Sequence, residues 1–395
     1  MKVDILRGQN QIGGSIIAIS NAHTKIILDA GRELDDDGSG CLPEIKGLFD
    51  SAGYDAVFFS HYHNDHVGLA RNIYLGIPLY IGEGAYQVMS AVDAYTKRDR
   101  LPVTGFLKNQ KQITIRDITI TPFLCDHSAY DSYMLLVEAE NEKILYTGDF
   151  RSNGRKRYDY LINRLPKVDT LICEGTTLSR NKVYYDTEKE MEERATELFK
   201  NHNGPVFVMQ AATNIDRIVT MYRASHHSGR IFLQDLYMAC ITNAIGGNIP
   251  NPNGFYDVRT FTSQSYKEGH FRRELFNCFG INKIGRTAIA KQHFTMCVRS
   301  SMLCFMKRLN QEMSFENGLL IYSMWDGYRQ HEQMKHFLEE CERMGLKVEA
   351  LHTSGHADSE AIKEMIEHTC PRCIMPIHTE NARWFEGLAK TVLLE

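Results

Sequence analysis

The sequence predicts an α/β protein assembled from more than one unit, and three observations predict it. The first third is rich in short apolar runs of strand length. From about Thr187, strand-like and helix-like stretches alternate. The last fifty residues return to strand, helix and strand. Alternation of that kind implies βαβ units and a largely parallel sheet. With 395 residues, the chain has room for two or three units at roughly 150 residues each. Apolar residues make up 43% and charged residues 24%, an ordinary globular balance that excludes disordered and fibrous classes. The net charge of -4 argues against a protein that coats nucleic acid nonspecifically, while leaving room for a local basic cleft.

The elements follow in order. The amino terminus reads as a strand, a turn at Gly13-Gly14 and a second strand. It lacks the basic-then-apolar build of a secretory signal, so a cytoplasmic location is expected. No apolar run approaches the roughly 18 residues of a membrane span. The ten cysteines form no framework and are expected as reduced thiols; the pair Cys370 and Cys373 lacks the second half of a zinc site. Thr24–Leu28 is a strand, residues 33–40 are too acidic and glycine-rich to be regular, and Tyr54–Ser60 is a buried strand leading to a helix at Gly68–Tyr74. Ile113–Ile120 alternates as a half-buried strand, and Tyr133–Ala139 with Lys143–Thr147 reads as a hairpin. Thr187 and Glu190 fit a capping box ahead of the stripe Met191, Ala195, Leu198 and Phe199. Strands then fall at Pro205–Met209, Arg230–Leu233 and Leu319–Tyr322, with helices from Ile215 and from Met334. A loop spans Gly246–Gly254. Leu346–Leu351, Ala361–Glu367 and Arg372–Ile377 close the chain as strand, helix and strand.

The most informative segment is Ser60-His61-Tyr62-His63-Asn64-Asp65-His66, directly after a strand. Side chains two apart in extended chain point the same way, so His61 and His63 can present imidazoles to one ion. Where the chain turns, Asp65 and His66 can reach a second. Imidazoles with carboxylates suit a borderline cation such as Zn²⁺. His127, Asp149 and His378 each stand just past an apolar run and could complete two sites.

This set resembles the metallo-β-lactamase superfamily, specifically its β-CASP nucleases, over nearly the whole chain. His61, His63, Asp65 and His66 match the HxHxDH motif; His127 and Asp149 match the third and fourth motifs. Glu174, His356 and His378 match β-CASP motifs A, B and C. The resemblance implies an αββα sandwich interrupted by an inserted α/β β-CASP domain: residues 1–195, an insert at 196–345, and a return at 346–395. It implies two Zn²⁺, with Mn²⁺ as the alternative ion. One ion falls to His61, His63 and His127, the other to Asp65, His66 and His378, with Asp149 bridging. Two ions ~3.5–4 Å apart can share and acidify a hydroxide and clamp a phosphodiester. His356 then stands at the leaving oxygen, oriented by Glu174, so the expected catalytic set is Asp65, Asp149, Glu174 and His356.

Histidine at motif C is typical of family members acting on RNA, so single-stranded RNA is the expected partner, cut endonucleolytically, from the 5′ end, or both. His352, Ser354, Gly355, Arg299 and Ser300 are the candidate substrate contacts. Arg151, Arg155, Lys156 and Arg157 are expected to place positive charge at a cleft mouth, and Trp325 and Tyr328 either stack bases or join the core. A small-molecule ester or thioester hydrolase, a DNA-directed nuclease and a non-catalytic partner subunit are the competing readings; Glu174, His356 and the insert weigh against the first. Two departures stand out. The chain ends soon after His378, which leads to the expectation that the extra carboxy-terminal domain of ribonuclease J is missing and leaves the homo-oligomer open. Thr379 also stands where glycine often follows the motif C histidine.

Overall fold

The computed structural model describes residues 1–34, 36, 40–180, 186–263 and 270–394, so part of the irregular stretch expected at 33–40 lies outside the described residues. The chain divides into two compact units, one of residues 1–89, 100–185 and 355–395, the other of residues 90–99 and 186–354.

The first unit carries two sheets. Strands β1 (Lys2–Arg7), β2 (Ile16–Ser20), β3 (Lys25–Leu28), β4 (Ala56–Phe58), β5 (Leu79–Gly82) and β6 (Gly105–Leu107) lie side by side in that order. β1 to β3 pair antiparallel and β3 to β6 parallel. The second sheet starts with β7 (Ile113–Ile115), β8 (Ile118–Cys125), β9 (Ser132–Ala139), β10 (Glu142–Tyr146) and β11 (Thr170–Glu174).

The alternation over Ile113–Ile120 is therefore two strands rather than one. Arg116 adopts a φ of 53° and turns the chain, so that Ile113 faces Ile120 across an antiparallel pair. The β9–β10 hairpin turns through Glu140 and Asn141 at φ 53° and 62°, the left-handed pair that matches strand twist.

The second unit holds one all-parallel sheet. Its strands are β12 (Val206–Met209), β13 (Ile231–Asp235), β14 (Val258–Phe261), β15 (Phe294–Val298), β16 (Gly318–Tyr322) and β17 (Leu346–Ala350), in the order β14-β13-β15-β12-β16-β17. β18 (Cys373–Ile377) and β19 (Thr391–Val392) then complete the second sheet of the first unit, whose order is β19-β18-β11-β10-β9-β8-β7.

Unit boundaries expected at 195/196 and 345/346 fall instead at 185/186 and 354/355, for a packing reason. Helix Glu188–Lys200 packs along helix Ile215–His227, and buried Glu188 pairs with buried Arg217 at 3.0 Å. β17 pairs in register with β16. Thr187 forms the expected capping box with Glu190.

The cores follow the layers. Ile17, Ile19, Ile26, Leu28 and Phe58 from one sheet meet Ile120, Leu135, Val137, Tyr146, Ile172 and Ile377 from the other, the inner seam of a sandwich. The outer face of the second sheet packs Leu136, Leu145 and Leu171 against Leu161, Ile362 and Met365 of flanking helices. Together these give a two-sheet sandwich with helices on the outer face of its second sheet, as the αββα expectation requires there, and a separate apolar core lies in the second unit. Among the described residues no helix is long and apolar enough to cross a membrane.

Candidate metal centre

Strand ends of the first unit deliver the predicted ligands to one place. His61 and His63 follow β4. The stretch beyond is not the helix expected at Gly68–Tyr74: a single helical turn spans Asn64–Val67 and carries Asp65 and His66, with a second short turn at Ala70–Asn72. Backbone bonds pin it, Ser15 N donating to Asp65 O at 3.1 Å and Ala30 N to His66 O at 2.8 Å. Gly31 lies so close beneath that a Cβ would collide with the Asp65 carbonyl, so only glycine fits there. His127 follows β8, Asp149 follows β10 and His378 follows β18. His378 sits at φ 51°, a conformation costly for a non-glycine residue and typical of functional sites. Thr379 is buried, its hydroxyl donating to Gly175 O at 2.8 Å.

Among the described residues, three overlapping groups result: His61, His63, His127 and Asp149; Asp65, His66, Asp149 and His378; and Asp149, Glu174, His356 and His378. Within each, the ligand-type atoms lie within 4.8 Å of one another. Asp149 belongs to all three. Its Oδ2 is 3.3 Å from His66 Nε2, 3.8 Å from both His61 Nε2 and His127 Nε2, and 3.6 Å from His356 Nδ1.

The second ring nitrogens say which atoms are open. Carbonyl and carboxylate oxygens only accept, so the nitrogen facing one carries the proton. His127 Nδ1 donates to Gly355 O at 2.5 Å, and His66 Nδ1 donates to Asp29 Oδ2 at 2.7 Å. Ser60 Oγ donates to Asp29 Oδ2 at 2.7 Å and so accepts from His61 Nδ1 at 3.0 Å. His378 Nδ1 faces Thr176 Oγ1 at 2.7 Å. In each case Nε2 is left toward the cluster. Asp29, fully buried, also accepts from Ser60 N at 2.7 Å and Tyr146 Oη at 2.5 Å, so one carboxylate fixes two imidazoles.

Among the described residues, His61 Nε2, His66 Nε2 and both Asp149 carboxylate oxygens are buried without a hydrogen-bond partner. Buried polar atoms are normally paired, so this donor set fits divalent cations.

The electrostatics follow from burial and from the neighbouring charges. Burial, with the neighbouring imidazoles, pushes His61 well down, and burial lowers His63 to about 4, leaving neutral nitrogens. For His66, burial alone would lower the imidazole, but the Asp149, Asp65 and Asp29 carboxylates outweigh it and raise it. Burial would raise Asp149, yet His378, His66 and His356 hold it well below the usual carboxylate range.

Glu174 accepts from Phe150 N at 2.9 Å and stands 3.2 Å from His356 Nδ1. Burial would lower His356, and Glu174 and Asp149 raise it.

The other predicted residues fare differently. Gly355 belongs to the first unit, where its carbonyl anchors His127 and a Cβ would press on Ser128. His352 and Ser354 belong to the second unit. Ser354 is buried, and His352 Nδ1 stands 3.5 Å from the buried Arg217 guanidinium. Arg299 donates to both oxygens of Asp235, and Ser300 opens a short 3₁₀ turn.

Arg151 does not reach a cleft mouth. It is 1% exposed and paired with Asp126, while Arg157, exposed, pairs with Asp159. Trp325 and Tyr328 lie on the surface rather than in the core. Asp29, Ser60, Tyr146 and Thr176 escaped the sequence reading. The signal that singled out His127 and His378, a polar group just past an apolar strand, applies equally to Asp29 after Leu28.

Similarity to known proteins points the same way. A family model described as "Beta-lactamase superfamily domain" matches residues 24–232, and one described as "Zn-dependent metallo-hydrolase RNA specificity domain" matches residues 342–391. Ribonuclease J 1 of Streptococcus pyogenes is 22% identical across 94% of this chain and 67% of its own length. Ribonuclease J of Sinorhizobium meliloti is 21% identical across 86% of this chain and 60% of its own. The chain thus spans about two thirds or less of these curated relatives. A crystal structure of a protein of unknown function from Enterococcus faecalis matches the fold with a TM-score of 0.81 at 20% identity, covering 100% of this chain and 97% of that one.

Proposed function

Since this chain belongs to the β-lactamase superfamily, we propose that it is a metal-dependent ribonuclease that hydrolyses RNA phosphodiester bonds. One observation carries the reading: five imidazoles and two aspartates from distant parts of the chain converge with buried, unpartnered atoms on a shared carboxylate. The match of residues 342–391 to an RNA specificity domain and the ribonuclease J relatives support RNA over other phosphodiesters.

His61, His63, His127 and Asp149 would hold one cation; Asp65, His66, His378 and the shared Asp149 would hold the other. Divalent ions there, zinc in this reading, would supply Lewis-acid polarisation of a phosphoryl oxygen and a water acidified to a pKa of about 7. The chain's own groups do the rest. Asp29, Ser60, Gly355 and Thr176 keep four imidazoles in one orientation, which removes reorganisation from the reaction. His356 Nδ1 is held toward Glu174, leaving Nε2 to give a proton to the departing 3′ oxygen. Most of the cluster is buried, with His63, Asp65 and His356 its more open members, so a threaded single strand reaches it more readily than the rigid outer surface of a duplex.

The test is metal analysis of the purified protein, followed by end-labelled RNA and DNA offered in parallel to wild type and Asp149→Asn. Two metal ions per chain are expected in wild type, with RNA cut and the variant slower by about a thousandfold or more. A wild type without metal, or a variant as fast as wild type, overturns the reading. DNA degraded with RNA spared overturns the substrate assignment alone.

A further inference from the structure

His127 and Asp149 come from strands that are not neighbours. His127 follows β8 and Asp149 follows β10, and β9 lies between them. Two strand spacings separate these strands by about 9.6 Å, yet His127 Nε2 and Asp149 Oδ2 end 3.8 Å apart. Side-chain length can span that gap, but the facing backbones also close over the end of β9, and something must hold them there.

The flanking residues do so. Asp126 immediately precedes His127, and Arg151 follows Asp149 by two. Both are buried, 2% and 1% exposed, with Arg151 Nε donating to Asp126 Oδ1 at 2.6 Å. The backbone repeats the tie, Arg151 N donating to Asp126 O at 2.8 Å. The other carboxylate oxygen accepts from Lys156 N. The loop between wraps so tightly that a Cβ at Gly154 would collide with the Asp126 carboxylate. Neither Asp126 nor Arg151 joins the ligand groups. A buried ion pair adds little net stability, because desolvation offsets much of its attraction.

We propose that the Asp126–Arg151 pair is a positioning clamp that draws the His127 and Asp149 segments together over β9 and so sets the affinity of the cation site formed by His61, His63, His127 and Asp149. The pair lies outside the ligand groups and acts through the two ligands that it joins. The proposal rests on the metal reading above.

It is tested on the full chain by competing zinc against a chromophoric chelator, for wild type, Arg151→Met and Arg151→Lys, with thermal melting of the metal-free forms alongside. Arg151→Met is expected to bind the zinc held by His61, His63, His127 and Asp149 about 10–100-fold more weakly, with a smaller loss at the second site, which shares only Asp149. Arg151→Lys, which keeps the charge, is expected to recover part of that loss. Zinc constants equal to wild type in both variants overturn the clamp, whatever the melting temperature does, because a merely structural pair would move melting alone. Should Arg151→Met fail to fold, Asp126→Asn preserves volume and one acceptor, and the same pair of outcomes applies to it. A wild type that takes up no zinc removes the metal reading itself. Variants indistinguishable from a zinc-binding wild type remove only the clamp.

Discussion

In the first unit, side chains that follow strand ends keep buried atoms without partners: His61 Nε2, His66 Nε2 and both oxygens of Asp149. In the second unit, charged side chains near strand ends close on one another. Arg217 donates to both oxygens of Glu188 and to Ser323, which follows β16. Arg299, following β15, donates to both oxygens of Asp235 at the end of β13. Both regions put polar groups where parallel sheets usually bind ligands. What separates these named clusters is whether the valence is satisfied within the protein, and that decides which can hold an ion and which holds the fold.

The largest expected effect tests the satisfied side. Arg217→Met removes the guanidinium that pairs with buried Glu188. A loss of about 3–5 kcal/mol in urea unfolding is expected, with zinc stoichiometry unchanged. A zinc loss that matches the stability loss would erase the contrast between the two units.

The open side responds in the opposite way. Asp29→Asn keeps the shape but not the capacity to accept from Ser60 N, Ser60 Oγ, His66 Nδ1 and Tyr146 Oη at once. The His66 ring then loses its fixed tautomer. Zinc affinity should fall about 10–100-fold, about 1.4–2.7 kcal/mol, measured by chelator competition, with a smaller change in melting of the metal-free protein. Unaltered zinc affinity would show that Asp29 serves the fold only.

This contrast was half visible in the sequence. Four ligand-type residues in six positions at a strand end have no apolar explanation, so His61, His63, Asp65 and His66 were legible from spacing. His127, Asp149 and His378 were legible from the same strand-end placement, and the resemblance to a known family gathered them. What spacing could not carry was pairing across the chain. Arg151 and Arg299 looked like free cations because a sequence does not show that Asp126 and Asp235 stand opposite them. Asp29 drew no reading because its four donors lie 31 to 117 positions away. The second unit's edges escaped for a related reason: β17 is a strand by pattern, and only its register with β16 assigns it to that sheet. Turn chemistry was equally local and equally missed at Arg116, where a positive φ splits one apolar alternation into a hairpin.

The smallest effect belongs to Arg299, and it separates an internal partner from a substrate contact. The guanidinium donates to Asp235 at 3.1 and 2.5 Å and lies 4.8 Å over the Tyr237 ring. Asp235 in turn caps the helix Leu236–Ile245 by accepting from Met238 N at 3.2 Å and Tyr237 N at 3.3 Å. The Arg299 side chain is 29% exposed, so solvent screens the pair and Arg299→Gln should cost no more than about 1 kcal/mol. Its effect on RNA should be smaller still. A residue that contacts phosphate contributes to counterion release, and its loss lowers the slope of log affinity against log salt by about one. With both donor arms already on Asp235, Arg299→Gln should leave that slope unchanged in a filter-binding titration. A slope lower by one would mean that Arg299 exchanges Asp235 for a phosphate when RNA binds, and the satisfied character of this pair would then hold only for the free protein.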